Sequence, residues 1–344
     1  MSFADEFVPL LRELVALPGI SGQEDDVIRF FADHLRPFAA DVRIDRLGNV
    51  TARIGSGEPP RIAILAHMDT VGFQVKSINS DGTLRVVAVG GVNLKALPGA
   101  SVHAGNLPGM FGVRSQHLAQ PGDNAVKDIE DLYVEIGNAQ GIEVTAPVTY
   151  APQFFQLGDT LYCSPYIDNR AGCAILLLLA GLLTRDSAAT IYLIGTVQEE
   201  TTCAGALHAL QSLTPNAAIF VDGTVSYDTP DTQGRGAVTL GNGPVLTSFL
   251  YTSGLNGWHA HPKLRAHLKQ VASDNGIPFQ QDIVHGLMSD ARVAGWLGIP
   301  SAIIGLPMRN KHAPLETIHI DDVANSVNLL LALLQRPLPN LSRG

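Results

Sequence analysis

Ile62-Ala63-Ile64-Leu65-Ala66-His67-Met68-Asp69 decides the fold: five apolar residues without a break, then a histidine and, two residues on, an acid. A short apolar run with no polar alternation, too short for a helix, reads as a strand covered on both faces, as in α/β sheets. Two more runs have this form. Thr190-Ile191-Tyr192-Leu193-Ile194-Gly195 leads into Val197-Gln198-Glu199-Glu200, and Ala217-Ala218-Ile219-Phe220-Val221 leads into Asp222-Gly223. Around them apolar residues recur at helical spacing, which predicts helices over 3–17, 25–35, 170–184, 205–213, 262–275, 290–297 and 320–334. Ser21 with Glu24 three residues on has the form of a capping box that opens the second of these. Shorter strands are predicted at 42–44, 50–54, 237–240 and 301–304. Strands alternating with helices give an α/β fold: a mostly parallel mixed sheet flanked by helices.

Between 72 and 162 the texture changes. Short Val- and Ile-rich pieces such as Thr83–Val89, Leu132–Ile136 and Glu143–Tyr150 alternate with Gly, Pro, Asn and Asp, and little of it is helical in period. This stretch is predicted to be a small β domain inserted into an α/β domain made of 1–71 and 163–344. A chain of 344 residues is long enough for both.

Composition removes several function classes. Apolar residues at 46% and charged residues at 16% exclude a disordered chain. A formal charge of −9 without any Lys/Arg run speaks against nucleic acid, whose binding rests on basic patches. The longest apolar run, Ala171 to Leu183, is about a dozen residues against the ~20 that a spanning helix needs, so no membrane partner is expected. The first residues carry acid where a secretory signal carries base, and three cysteines cannot all pair. Both point to a cytoplasmic location.

Candidate ligands stand where buried strands end, which is where open α/β sheets build their sites. His67 follows the first strand; Asp69 is placed to hold its non-ligating nitrogen. Asp168 precedes the long apolar helix, where an acid caps or, with two oxygens, bridges two cations. Glu199 and Glu200 follow the next strand, one suited to ligate and the other to move a proton. Asp222 ends the next run, and His312 lies in the loop after 301–304. Each alone is ordinary surface or capping chemistry. Together, two histidines and a set of carboxylates behind successive buried strands form a nitrogen–oxygen donor set that suits Zn, Co or Mn.

The ordered motifs go further. Pro18 through Glu24, Leu47-Gly48-Asn49-Val50, Ala66 through Asp69, Val71-Gly72-Phe73, Gly90-Gly91 and Ile167 through Gly172 come first. Val197 through Glu200, Gly205-Ala206, Val221-Asp222, Leu240 through Pro244 and Pro307 through His312 follow. In this order and spacing the chain resembles the tetrahedral-aminopeptidase family, relatives of glutamyl aminopeptidases among the dinuclear metallopeptidases.

The resemblance implies a zinc-peptidase-like fold whose inserted domain, a small β-barrel of PDZ-like form, mediates homo-oligomerisation, from dimer to dodecamer. It implies two divalent metal ions, Zn or Co. His67 and Asp222 would hold one, Glu200 and His312 the other, and Asp168 both. Glu199 would be the general base and acid, Asp69 the residue behind His67, and peptides the substrates, cleaved at the N-terminal residue. The Asp168-Asn169 bond falls where such enzymes often have a non-proline cis peptide. The chain departs from the pattern at Thr70, at Thr201 through Ala204, at Met288-Ser289-Asp290 and at Asn310. Asp290 retains the family's acid there and is the candidate substrate-pocket residue. Two rival readings share these ligands: a metal-dependent deacylase of an N-blocked substrate, and an inert metal-binding assembly protein.

Overall fold

The computed structural model describes residues 3–56, 58–118, 126–183, 189–254 and 256–343. The run around Ile64 lies inside a nine-stranded sheet. Across it the strands are Asp41–Ile44, Val50–Ile54, Thr190–Thr196, Arg61–His67, Ala217–Val225, Ser301–Met308, Val245–Tyr251 and Gly257–His259, with Gln280–His285 alongside Val245–Tyr251. The strands from Thr190–Thr196 to Ser301–Met308 run parallel, and antiparallel pairs flank them on both sides.

The continuous apolar run has the expected cause. Ile62, Ile64 and Ala66 pack on one face, under helices Phe3–Ala16, Asp25–Leu35, Ile167–Leu182 and Ile320–Leu334, while Ala63 and Leu65 pack on the other, with Ala204–Leu213 and Ala291–Trp296. Period-two alternation divides one strand between two cores, each buried Leu or Ile contributing about 1.5–3 kcal/mol. Among the described residues, no helix is long and apolar enough to cross a membrane.

After His67 the chain leaves the sheet and builds a closed barrel. Its strands, in order around it, are Gly72–Ile78, Leu84–Val89, Tyr133–Glu135, Leu107–Gly112, Ser101–Ala104 and Pro147–Tyr150. Leu84 and Val86 point in, Arg85 and Val87 out, and Phe73 meets Phe111 edge to face at 4.8 Å inside. The chain then returns through Phe155–Leu157 and Leu161–Ser164, which pair with each other, the second also pairing with Glu316–His319 to complete a separate three-stranded sheet.

Two local expectations fail. No capping box opens the helix Asp25–Leu35. Glu24 is its N-cap, with Oε1 accepting from the amides of Gly22 and Gln198, while the Ser21 hydroxyl donates to Asp69. Long-range partners claim both side chains. The predicted strand at 237–240 is a loop, and the real one, Val245–Tyr251, begins after Gly243-Pro244. It and its partners Gly257–His259 and Gln280–His285 carry Thr, Ser, His, Gln and Asp on a half-exposed sheet edge, a composition that reads as loop.

Candidate active site

Sheet register sets the heights of the first groups. Thr196 pairs with His67, and Leu65 pairs with Phe220, so Asp222 stands level with His67 two residues further on. Glu199 and Glu200 follow Thr196 in a turn where Gln198 takes left-handed backbone, φ 61°. Asp168 and Asn169 break the helical geometry at the start of Ile167–Leu182, and the bond between them is cis. Asn169 bolts this irregular start to the sheet: its Nδ2 donates to the Val221 carbonyl at 2.7 Å and its Oδ1 accepts from the Gly172 amide at 3.1 Å. Gly223 leaves room for the approach, since a Cβ there would lie 2.9 Å from Asp168 Oδ1. His312 arrives on a loop in which Asn310 and His312 are both left-handed, φ 57° and 63°.

These residues meet. His67 Nε2 lies 3.5 Å from Asp168 Oδ1 and 3.7 Å from Asp222 Oδ1. His312 Nε2 lies 3.3 Å from Asp168 Oδ2 and 3.4 Å from Glu200 Oε1. Within each of the trios His67–Asp168–Asp222 and Asp168–Glu200–His312, the donor atoms lie within 4.8 Å of one another. The far nitrogens are tied to carbonyls, His67 Nδ1 to Asp69 at 3.1 Å and His312 Nδ1 to Gly91 at 2.5 Å. A carbonyl only accepts, so each Nδ1 carries the proton and each Nε2 faces the carboxylates. Asp69 works in two directions. Its carbonyl meets His67, while its carboxylate accepts the amides of Glu199 and Glu200, both at 3.0 Å, with Oδ1 3.5 Å from His67 Nδ1.

Glu199 Oε2 lies 3.8 Å from His67 Nε2, and Glu199 lines a cleft of about 320 Å3. Gly91, Glu200, Lys311 and His312 form one side of this cleft; Val225, Val284 and Leu287 give it apolar surface. Asp290 is buried and absent from that lining. Its Oδ2 accepts from the Thr196 hydroxyl at 2.6 Å, and its side chain does not cap the helix Ala291–Trp296.

Two side chains at the site escaped sequence reasoning. Glu316, buried on Glu316–His319, accepts the amide of Asp168 at 2.8 Å and that of His312 at 2.6 Å, so one carboxylate holds the backbones of two candidate ligands. Lys311 Nζ lies 2.7 Å from Asp168 Oδ2. Neither left a signal in the sequence: the strand that carries Glu316 is four residues long and pairs with Leu161–Ser164, and Lys311 is a lone loop lysine.

The charges at the site are out of balance. Burial drives the Glu199 carboxyl well above the usual range; His67 pulls it back, and Asp222, Glu200 and Asp290 push it further up. Burial raises Glu200 to about 7 and, with Asp168 nearby, Glu316 to about 8. Burial alone would strip His67 of its second proton, yet Glu199, Asp168, Asp222 and Asp69 hold its pKa well above the ordinary value. Asp168 stays ionised against its own burial because Lys311, His312 and His67 surround it. Buried oxygens that accept no hydrogen bond converge here, Oδ1 of Asp168, Oε1 of Glu200 and Oδ1 of Asp222, beside Asp168 Oδ2, which is ion-paired with Lys311. Unpaired buried anions are expensive, so the cluster calls for cations, and its imidazole and carboxylate donors fit divalent metal ions.

Residues 48–329 match the family described as M42 glutamyl aminopeptidase. Over 347 aligned residues the chain is 31% identical to the lysyl aminopeptidase of Pyrococcus furiosus, covering 96% of this chain and 97% of the relative. An aminopeptidase from the archaeon Desulfurococcus kamchatkensis superimposes with a TM-score of 0.92 at 27% identity, over 99% of this chain and 97% of that one. The Pyrococcus horikoshii TET1 peptidase, described as assembling into a tetrahedron or a large octahedral shell, does so with a TM-score of 0.85 at 26% identity, over 95% and 99%. With a family match along most of its length and a fold shared from end to end with aminopeptidases, this chain belongs to the M42 glutamyl aminopeptidase family of peptide hydrolases.

Proposed function

We propose that the protein removes N-terminal residues from peptides with two divalent metal ions, one held by His67, Asp168 and Asp222, the other by Asp168, Glu200 and His312. The observation that carries this reading is the division of Asp168, which presents Oδ1 to His67 and Oδ2 to His312. A carboxylate can serve two ions in that way. The mixed donors favour zinc or cobalt. Bound ions supply Lewis acidity and lower the pKa of water from 15.7 towards about 7.

The chain's own residues do the rest. Glu199 belongs to neither trio that contains Asp168, faces the cleft, and is anchored through its amide by Asp69. Burial raises its carboxyl above that of a free glutamate, which makes its carboxylate the stronger base. It takes the proton of the attacking water at its carboxylate and hands it to the nitrogen of the leaving amine, a role worth ~10²–10⁴-fold. The acidic end of the cleft at Glu199 and Glu200 favours the free ammonium of a peptide N-terminus. Residues 1–71 and 163–344 act as the catalytic domain. The insertion 72–162 acts as the oligomerisation domain of a cytoplasmic homo-oligomer; the shells of the P. horikoshii peptidase support the assembly itself.

The test is amino-acid release from a panel of aminoacyl-p-nitroanilides before chelation, after it, and with zinc or cobalt restored. Turnover that disappears with the metal and returns with it is expected. Turnover indifferent to chelation overturns the metal mechanism. Silence on every member of the panel, with metal shown to be bound, moves the activity to deacylation of an N-blocked substrate.

A further inference from the structure

The loop that delivers His312 also delivers a positive charge. Left-handed backbone at Asn310 and His312 brings neighbouring side chains, Lys311 and His312, to the same carboxylate. The Lys311 ammonium lies 2.7 Å from Asp168 Oδ2 and donates to the Gly223 carbonyl at 3.0 Å, with its side chain 11% exposed. Oδ2 is the oxygen that faces His312. Oδ1, on the His67 and Asp222 side, has no Lys or Arg ion pair among the described residues.

The two trios therefore differ although their donors match, one histidine and two carboxylates each. His67–Asp168–Asp222 takes Asp168 through Oδ1, the oxygen that the ammonium does not touch, and feels Lys311 only through space. In Asp168–Glu200–His312 the shared oxygen already carries that ammonium. A divalent ion there must use a lone pair of Oδ2 beside an ammonium, in a buried site where like charges are poorly screened.

We infer that Lys311 makes the metal centre unequal: an ion in the His67–Asp168–Asp222 trio is held firmly, while one in the Asp168–Glu200–His312 trio is held weakly and exchanges, because it shares Asp168 Oδ2 with a fixed ammonium. The inference rests on the metal-centre reading above and gives Lys311 a positioning role. The protein then rests with one trio filled, and the supply of free metal sets how much of it is fully loaded.

The experiment strips the full-length protein with chelator and titrates it with Zn²⁺ or Co²⁺ by calorimetry, counting bound metal after gel filtration. Two classes of site are expected in the wild type, the second weaker by about tenfold or more. Lys311→Met should tighten the second class by about tenfold and leave the first within about threefold, which also shows that the variant is folded. Lys311→Arg retains the charge and should retain the gap. Equal classes in the wild type, a Lys311→Met protein whose second class does not tighten, or an arginine variant that behaves like the methionine one would each overturn the inference. A wild type that takes up no ion overturns the metal-centre reading, and this inference with it. An unequal pair left unequal by Lys311→Met overturns the role of Lys311 alone.

Discussion

Glu199 and Glu200 are adjacent in the chain, and both hang their amides on the carboxylate of Asp69. Their side chains part from there: Glu200 Oε1 lies 3.4 Å from His312 Nε2, Glu199 Oε2 lies 3.8 Å from His67 Nε2 and lines the cleft. If the first ligates and the second moves protons, Glu199→Gln separates the duties. The amide keeps the shape and loses the base, so kcat should fall ~10²–10⁴-fold while metal content and Tm stay at wild-type values. A variant within about tenfold of wild type would return the proton transfer to another group. The positions of this cluster were legible because each of His67, Glu199, Glu200, Asp222 and His312 comes after an apolar run that the sequence shows. Glu316, Ser21 and Lys311 were not legible. Glu316 earns its place by accepting an amide 148 residues away, and Ser21 by donating to Asp69 across 48. Periodicity carries no trace of such pairings.

The segment from Arg309 to Glu316 holds more of the site than any other loop, and it is pinned at both ends. At its far end Glu316 grips His312 and Asp168. At its start Arg309 forks onto Asp228, Nε to Oδ1 at 3.0 Å and Nη2 to Oδ2 at 2.6 Å. Burial would raise the Asp228 carboxyl, but Arg309 and the Leu240 amide hold it down at about 2. A carboxyl depressed below its unfolded value stabilises above that value and loses the contribution as pH falls through about 2. The pair is partly exposed, at 29% and 16%, so its worth is about 1 kcal/mol or less. Asp228→Asn should therefore lower Tm by about 1 °C at neutral pH, with the gap constant down to about pH 5 and narrowing below about 4. A gap that widens with acid would mean that the carboxylate is not what anchors the loop. The strands around this loop show where sequence reading stops. Ser301–Met308 is buried throughout and readable, whereas Val245–Tyr251 beside it is mixed in character because its partners lie at an open edge.

At the scale of the molecule, the barrel is attached to the chemistry as well as inserted near it. Gly91, just past the barrel strand Leu84–Val89, fixes His312 through its carbonyl, and the barrel's outer surface carries the apolar side chains of Val87, Met110, Val113 and Val144. Met110 is 44% exposed and Val113 46%. Apolar groups held outward on a small barrel gain by being covered with another copy, which is how the insertion would assemble the homo-oligomer. Met110→Glu with Val113→Glu places two charges where a partner would sit, at positions whose exposure makes folding of the barrel itself indifferent to the change. Light scattering coupled to gel filtration should show a smaller assembly than wild type, and because Gly91 and His312 belong to one chain, the dissociated protomer should still bind metal. An unchanged mass would place the assembly surface elsewhere on the molecule. A smaller mass with metal lost would mean that neighbouring copies hold Gly91 against His312, and that the trio it serves is completed only on assembly.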